Sequence, residues 1–207
     1  VEASQIDQMI AVMARLRKEC PWDAEQTHSS LVTYLIEETY ELLEAIETSD
    51  FDSVEEELGD VLLQVLFHSQ IASESTNGFD IQDVAKRLRE KLESRHPHVF
   101  GDVIAEKASD VVKNWEQIKA KEKGRTSPTE GVPFAQPALS LAAKLVHRAT
   151  RYGMEGEDAP APMSESEFGS ALFELAKSAA QLGIDPEAAL RKRAREYARE
   201  LDLREVE

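Results

Sequence analysis

The chain has 207 residues, with 40 Asp and Glu against 24 Lys and Arg, a formal net charge of −16. That length suits one domain or two small ones, with ample room for a hydrophobic core. The acidic balance argues against nonspecific contact with nucleic acid or an anionic membrane, since both would repel it, but allows a small polyanion bridged by a divalent cation.

Apolar spacing is helical almost throughout, with no convincing run of strict alternation. It predicts helices over 3–17, 27–48, 52–75, 80–94, 108–122, 137–151, 165–182 and 186–202. Asp80 and Asp185 are expected N-caps, Pro186 fits a first turn, and Gly78 and Pro97 punctuate helix ends. The expected fold class is all-α and bundle-like. The stretch KEKGRTSPTEGVPFAQP, residues 121–137, reads as a linker between domains 1–120 and 138–207. A second break, GMEGEDAPAPMS at 153–164, reads as a long loop. The sole cysteine, Cys20, cannot form an intramolecular disulfide, no 18-residue apolar run occurs, and VEASQIDQMI lacks the marks of a signal peptide. A cytoplasmic protein is the expectation.

The two halves also look distantly repeated. Glu57-Leu-Gly-Asp60 before VLLQVLF parallels Glu167-Phe-Gly-Ser170 before ALFELAK, and FDIQDVAKRLREKLE parallels IDPEAALRKRAREYA. The second copy is degenerate. Ser170 replaces Asp60, no Glu-rich helix precedes Glu167, and Tyr197 and Leu201 are read as the counterparts of Lys91 and Arg95.

The segment EETYELLEAIETSDFDSVEEELGD, residues 37–60, concentrates the acids. On a helical wheel Glu37, Glu38, Glu41, Glu44 and Glu47 share one half, and Leu35, Leu42, Leu43 and Ile46 the other. Glu38 and Glu41 are i, i+3 neighbours, as are Glu57 and Asp60 on the next helix. The short connection TSDFDS makes the two helices antiparallel neighbours, so the acid pairs can face each other. A solvated acidic face is the ordinary reading. Against it, VLLQVLF is apolar nearly all round, which implies a buried helix with Asp60 at its threshold, and Gly59 suggests close approach of a neighbour. Clustered carboxylates repel one another, and a hard divalent cation such as Mg²⁺ or Mn²⁺ relieves that repulsion.

Lys91 and Arg95 lie i, i+4 on a helical face and could reach one phosphate, or could simply pair with Glu90 and Glu93. Trp115 and Lys119 are likewise i, i+4, an aromatic beside a cation that suits a base and its phosphate, although Trp is more often core. Trp22 precedes the acidic helix as an anchor. Glu25-x-x-His28 and Glu93-x-x-His96 match the ligand formula of di-iron carboxylate bundles, but both histidines fall at helix ends rather than mid-helix. No Gly-rich phosphate loop, Cys-x-x-Cys or nucleophile elbow occurs.

Glu37-Glu-x-x-Glu41 followed by Glu57-x-x-Asp60 resembles the signature of the all-α nucleoside triphosphate pyrophosphohydrolases. CPWDAEQT, EETYE, ELGDVLLQVLFH, RHPHVF and WEQIK resemble the MazG branch over roughly residues 9–123. The C-terminal half is more weakly similar to the second domain of two-domain members. The resemblance implies Mg²⁺-dependent hydrolysis of NTP or dNTP to the monophosphate and pyrophosphate, in nucleotide-pool housecleaning, by a homodimer. It assigns Glu38, Glu41, Glu57 and Asp60 to the metal, Lys91 and Arg95 to the triphosphate, and Trp115, Lys119 and Trp22 to the nucleotide. Glu37 is a candidate to orient the attacking water. The degenerate second half is then structural or dimer-forming. The rival expectation is a non-catalytic acidic module that binds a basic partner.

Overall fold

Helix starts are set by local side-chain chemistry. Ser4 and Asp7 form a reciprocal capping box that begins α1, Gln5–Glu19. Cys20 ends it, and Pro21 opens the short α2, Pro21–Glu25. α3 spans Val32–Thr48 and ends at Ser49, whose backbone is left-handed. Asp50 then accepts from the Ser53 amide to start α4, Phe51–Ser73. Only Ser49 and Asp50 separate the two helices. Asp80 and Asp83 make a second capping box for α5, Ile81–Arg95, and Pro97 opens α6, Pro97–Phe100. α7 covers Ala108–Lys123, α8 Ala138–Arg151, α9 Glu165–Gln181 and α10 Pro186–Arg204.

This computed structural model describes residues 4–105, 107–124, 127–154 and 163–204. Among them there are ten helices and no strand, as the all-α expectation requires. The loop expected at 153–164 lies outside the described residues over 155–162. Two short helices, α2 and α6, were not expected, and α3 starts at Val32 rather than at 27. Thr27 and Ser30 explain the late start. Each hydroxyl accepts from the other's backbone amide, and Ser30 also donates to Gln26 Oε1, so the chain closes a turn before the helix begins.

The chain divides into two units, Val1–Trp115 and Glu116–Glu207. In the first, Met13, Leu31, Leu66 and Phe67 form the core, flanked by Ile10, Leu62, Leu63, Ile71 and Ile81. Arg17, its side chain 8% exposed, laces this unit together. Its guanidinium donates to Glu74 at the end of α4 and to the carbonyls of Asp23 and Gln26. In the second unit Val132, Leu141, Leu145, Ala194 and Ala198 form the core, with Phe134, Ala142 and Tyr197 against it. The stretch read as a linker contributes to this core. Arg148 donates to the carbonyls of Pro128 and Glu130, Arg191 to those of Phe134 and Gln136, and Ser127 and Thr129 to Asp202.

The repeat register also needs a correction. Asp80 and Asp185 both accept from helix-start amides, and matching them sets Glu196 and Glu200, not Tyr197 and Leu201, opposite Lys91 and Arg95. Tyr197 and Leu201 are core positions, and the cations are missing in either register.

Candidate active site

The short α3–α4 connection makes these helices the most closely packed pair of the first unit. Glu38 and Glu41 project from α3, Glu57 and Asp60 from α4, each pair one helical turn apart. One carboxylate oxygen from each of Glu38, Glu41 and Glu57 lies within 4.8 Å of the others. Asp60 lies outside that set, yet its charge acts on both Glu38 and Glu57. Glu37 is exposed and does not join the group.

The electrostatics record the crowding. Burial, then the charges of Asp60, Glu41 and Glu57, hold the Glu38 carboxyl above the usual carboxylate range. Glu57 is raised as well, first by desolvation and then by Glu41, Asp60 and Glu56. Such a group is short of positive charge and rich in hard oxygen donors, and its residues fit a divalent cation such as Mg²⁺. Among the described residues no histidine joins it, which leaves the di-iron formula without support. His28 is instead stacked on His68 with the two Nδ1 atoms 2.7 Å apart, and His96 Nδ1 lies 2.7 Å from the Leu92 carbonyl.

Two expectations about α4 fail. Space is open within 4 Å of where a Gly59 side chain would start, so no neighbour approaches closely there. The segment after Asp60 is not buried on all sides either: Val61, Leu62 and Leu63 are half-buried, and Val65 is exposed.

Gln64 and His68 were missed by sequence reasoning. They follow Asp60 at successive turns of the same helix. Gln64 is only 4% exposed, and among the described residues its Oε1 has no partner, nor has His68 Nε2. A buried polar group without a partner costs about 1–3 kcal/mol. The available signal was one glutamine inside an otherwise apolar run.

The cationic and aromatic candidates differ in their surroundings. Arg95, 6% exposed, places its guanidinium 5.3 Å from the Trp115 ring centroid, and His96 meets the same ring edge-on at 4.9 Å. Lys91 stays exposed, so the two cations expected to share one face differ sharply in environment. Arg89, not Lys91, pairs with Glu93. Trp22 is half-exposed and packs edge-on against Tyr34 and Phe67. Trp115 closes the first unit, whereas Lys119 belongs to the second.

Residues 26–100 match the family model described as the MazG nucleotide pyrophosphohydrolase domain. The chain is similar to the nucleoside triphosphate pyrophosphohydrolase/pyrophosphatase MazG of Thermotoga maritima, 42% identical over 92% of this chain and 82% of the relative. It is similar to the nucleoside triphosphate pyrophosphohydrolase of Escherichia coli K12, 38% identical over 99% of this chain and 88% of the relative. An uncharacterized 26.1 kDa protein of Streptomyces cacaoi is 50% identical over 91% of this chain and 78% of its own length.

Proposed function

The chain belongs to the MazG family and is a nucleoside triphosphate pyrophosphohydrolase, and we propose that the acidic cluster on α3 and α4 carries its reaction. The observation behind this reading is the convergence of the Glu38, Glu41 and Glu57 oxygens within 4.8 Å, with two of the three carboxyls raised by burial and mutual repulsion.

The reaction adds water across the α–β phosphoanhydride and leaves a nucleoside monophosphate and pyrophosphate. Glu38, Glu41, Glu57 and Asp60 would hold Mg²⁺, with Mn²⁺ a possible substitute. Bound there, the cation supplies Lewis-acid polarisation of phosphate oxygens and a lowered pKa for coordinated water. Glu37, adjacent to the cluster and exposed, orients the attacking water as general base. Lys91 and Arg95 offset the charge that moves outward onto the leaving pyrophosphate. Trp22, Trp115 and Lys119 take the nucleotide. The second unit, with Ser170 in place of an acid, is structural or dimer-forming.

Homodimer formation fits the apolar side chains left exposed along the α3–α4 hairpin, among them Tyr40, Leu43, Ile46, Phe51 and Leu58. No helix among the described residues is long and apolar enough to cross a membrane. A cytoplasmic role in clearing unwanted nucleotides, without nucleic acid as partner, completes the reading.

The test is pyrophosphate release from a panel of ribo- and deoxyribonucleoside triphosphates, with Mg²⁺ and with EDTA. Metal-dependent release of pyrophosphate with matching monophosphate is the expected result. A folded chain that releases none across the panel contradicts it and favours the acidic interaction module.

A further inference from the structure

α10 carries a feature the reaction does not use. Asp185, Glu187, Ala188, Arg191, Lys192, Arg195 and Arg199 line an open groove of about 460 Å³, built from second-unit residues alone. Four of the seven are cationic, in a chain whose net charge is −16. Both acids are engaged in the fold. Asp185 accepts from the Ala188 amide, and Glu187 accepts from the Ala138 amide at 2.8 Å and pairs with Arg191. Arg191 is itself held by the carbonyls of Phe134 and Gln136.

Lys192, Arg195 and Arg199 then follow at i, i+3 and i+7, which places them on one face over two turns, about 10 Å along the axis. All three are exposed. Among the described residues Lys192 and Arg195 have no carboxylate partner, and the Arg199 guanidinium donates only to the Arg195 carbonyl at 3.3 Å. Arg193, on another side of the same helix, shows the contrast: it pairs with Glu200 at 3.0 Å and lies over the Tyr197 ring. Three neighbouring cations repel one another unless an anion lies between them, and guanidinium and ammonium groups suit phosphate oxygens.

We propose that this groove binds a small polyphosphate without a metal ion, either free pyrophosphate or the phosphate tail of a nucleotide. The groove has the volume of a small-ligand site, and the chain's overall negative charge opposes a nucleic acid. A pyrophosphate held here would be the product of the reaction, bound at residues separate from those that release it.

Competition labelling of the full chain tests this. An amine-acylating reagent is applied in EDTA, with monophosphate, pyrophosphate or a nucleoside triphosphate as competitor, and labelled peptides are read by mass spectrometry. Pyrophosphate should protect Lys192 but not Lys144 on α8, and Arg195→Ala should raise the concentration required by about tenfold. Turnover in the presence of Mg²⁺ should be unchanged in Arg195→Ala. Equal protection by pyrophosphate and triphosphate places recognition in the phosphate chain, while better protection by the triphosphate adds the nucleoside. Lys192 protected no more than Lys144, or protected by an oligonucleotide at lower concentration than by pyrophosphate, overturns the proposal.

Discussion

Two helices with related sequences, α4 and α9, meet different fates in this chain. α4 packs along α3, and that pairing brings Glu57 within reach of Glu38 and Glu41. α9 buries none of its residues, and α8 packs chiefly against α10 instead. The carboxylate that corresponds to Glu57 shows the consequence. Glu57 is crowded by Glu41 and Asp60 and its pKa is raised, whereas Glu167 closes the capping box of Ser164, which lowers its pKa. Glutamate before x-Gly-x is therefore not the determinant of the site. The facing acidic helix is, because only a neighbour at close range turns a surface acid into a member of a carboxylate cluster.

The largest effect that would break this contrast is on turnover. Glu57→Gln should reduce pyrophosphate release by about 100-fold or more, with the circular dichroism spectrum unchanged, while Ser170→Ala should stay within about twofold of wild type. Next in size is the arginine lacing of the first unit. Arg17→Ala leaves the Glu74 carboxylate and two carbonyls without their donor, and should cost about 2–4 kcal/mol in urea denaturation. A loss below about 1 kcal/mol would show that the core alone holds α1 and α2 in place.

A pH series sharpens the comparison further. Glu38 and Glu57 have raised pKa values, so their protonated forms stabilise the metal-free fold below the ordinary carboxylate pKa, and that contribution is lost as pH rises through the raised values. Glu74 runs the other way: its pKa is lowered by the hydrogen bond from Arg17, so its contribution is present above the ordinary value and lost as pH falls through the lowered one. Without metal, Glu38→Gln should therefore melt above wild type near pH 7.5 and lose that advantage toward about pH 4. An advantage that persists unchanged at acid pH would exclude charge repulsion as its cause. The smallest effect is at the cap: Ser164→Ala should cost about 1 kcal/mol and return Glu167 toward ordinary carboxylate behaviour.

The acidic cluster was legible from sequence because it depends on local quantities: i, i+3 spacing within two helices and a connection short enough to force them together. What was not legible depends on partners distant in the chain. Arg95 was read as sharing one face with Lys91, but Trp115, twenty residues later, meets its guanidinium with a ring. Gln64 reads as a tolerated polar residue until burial leaves its Oε1 without a partner. α2 and α6 contain five and four residues, too few for apolar periodicity to register, and are marked mainly by Pro21 and Pro97 at their first positions. The stretch 127–136 has a linker's composition, yet its carbonyls are held by Arg148 and Arg191, donors that no local pattern reveals.

The most direct test of the central claim is a titration of the melting temperature with Mg²⁺, with wild type and Glu38→Gln side by side in the absence of nucleotide. If the α3–α4 carboxylates form the cation site, wild type should rise in melting temperature with a saturable dependence on Mg²⁺, and Glu38→Gln should start higher and barely respond. Equal rises in the two proteins, or no rise in either, would contradict the assignment of this cluster as the metal site.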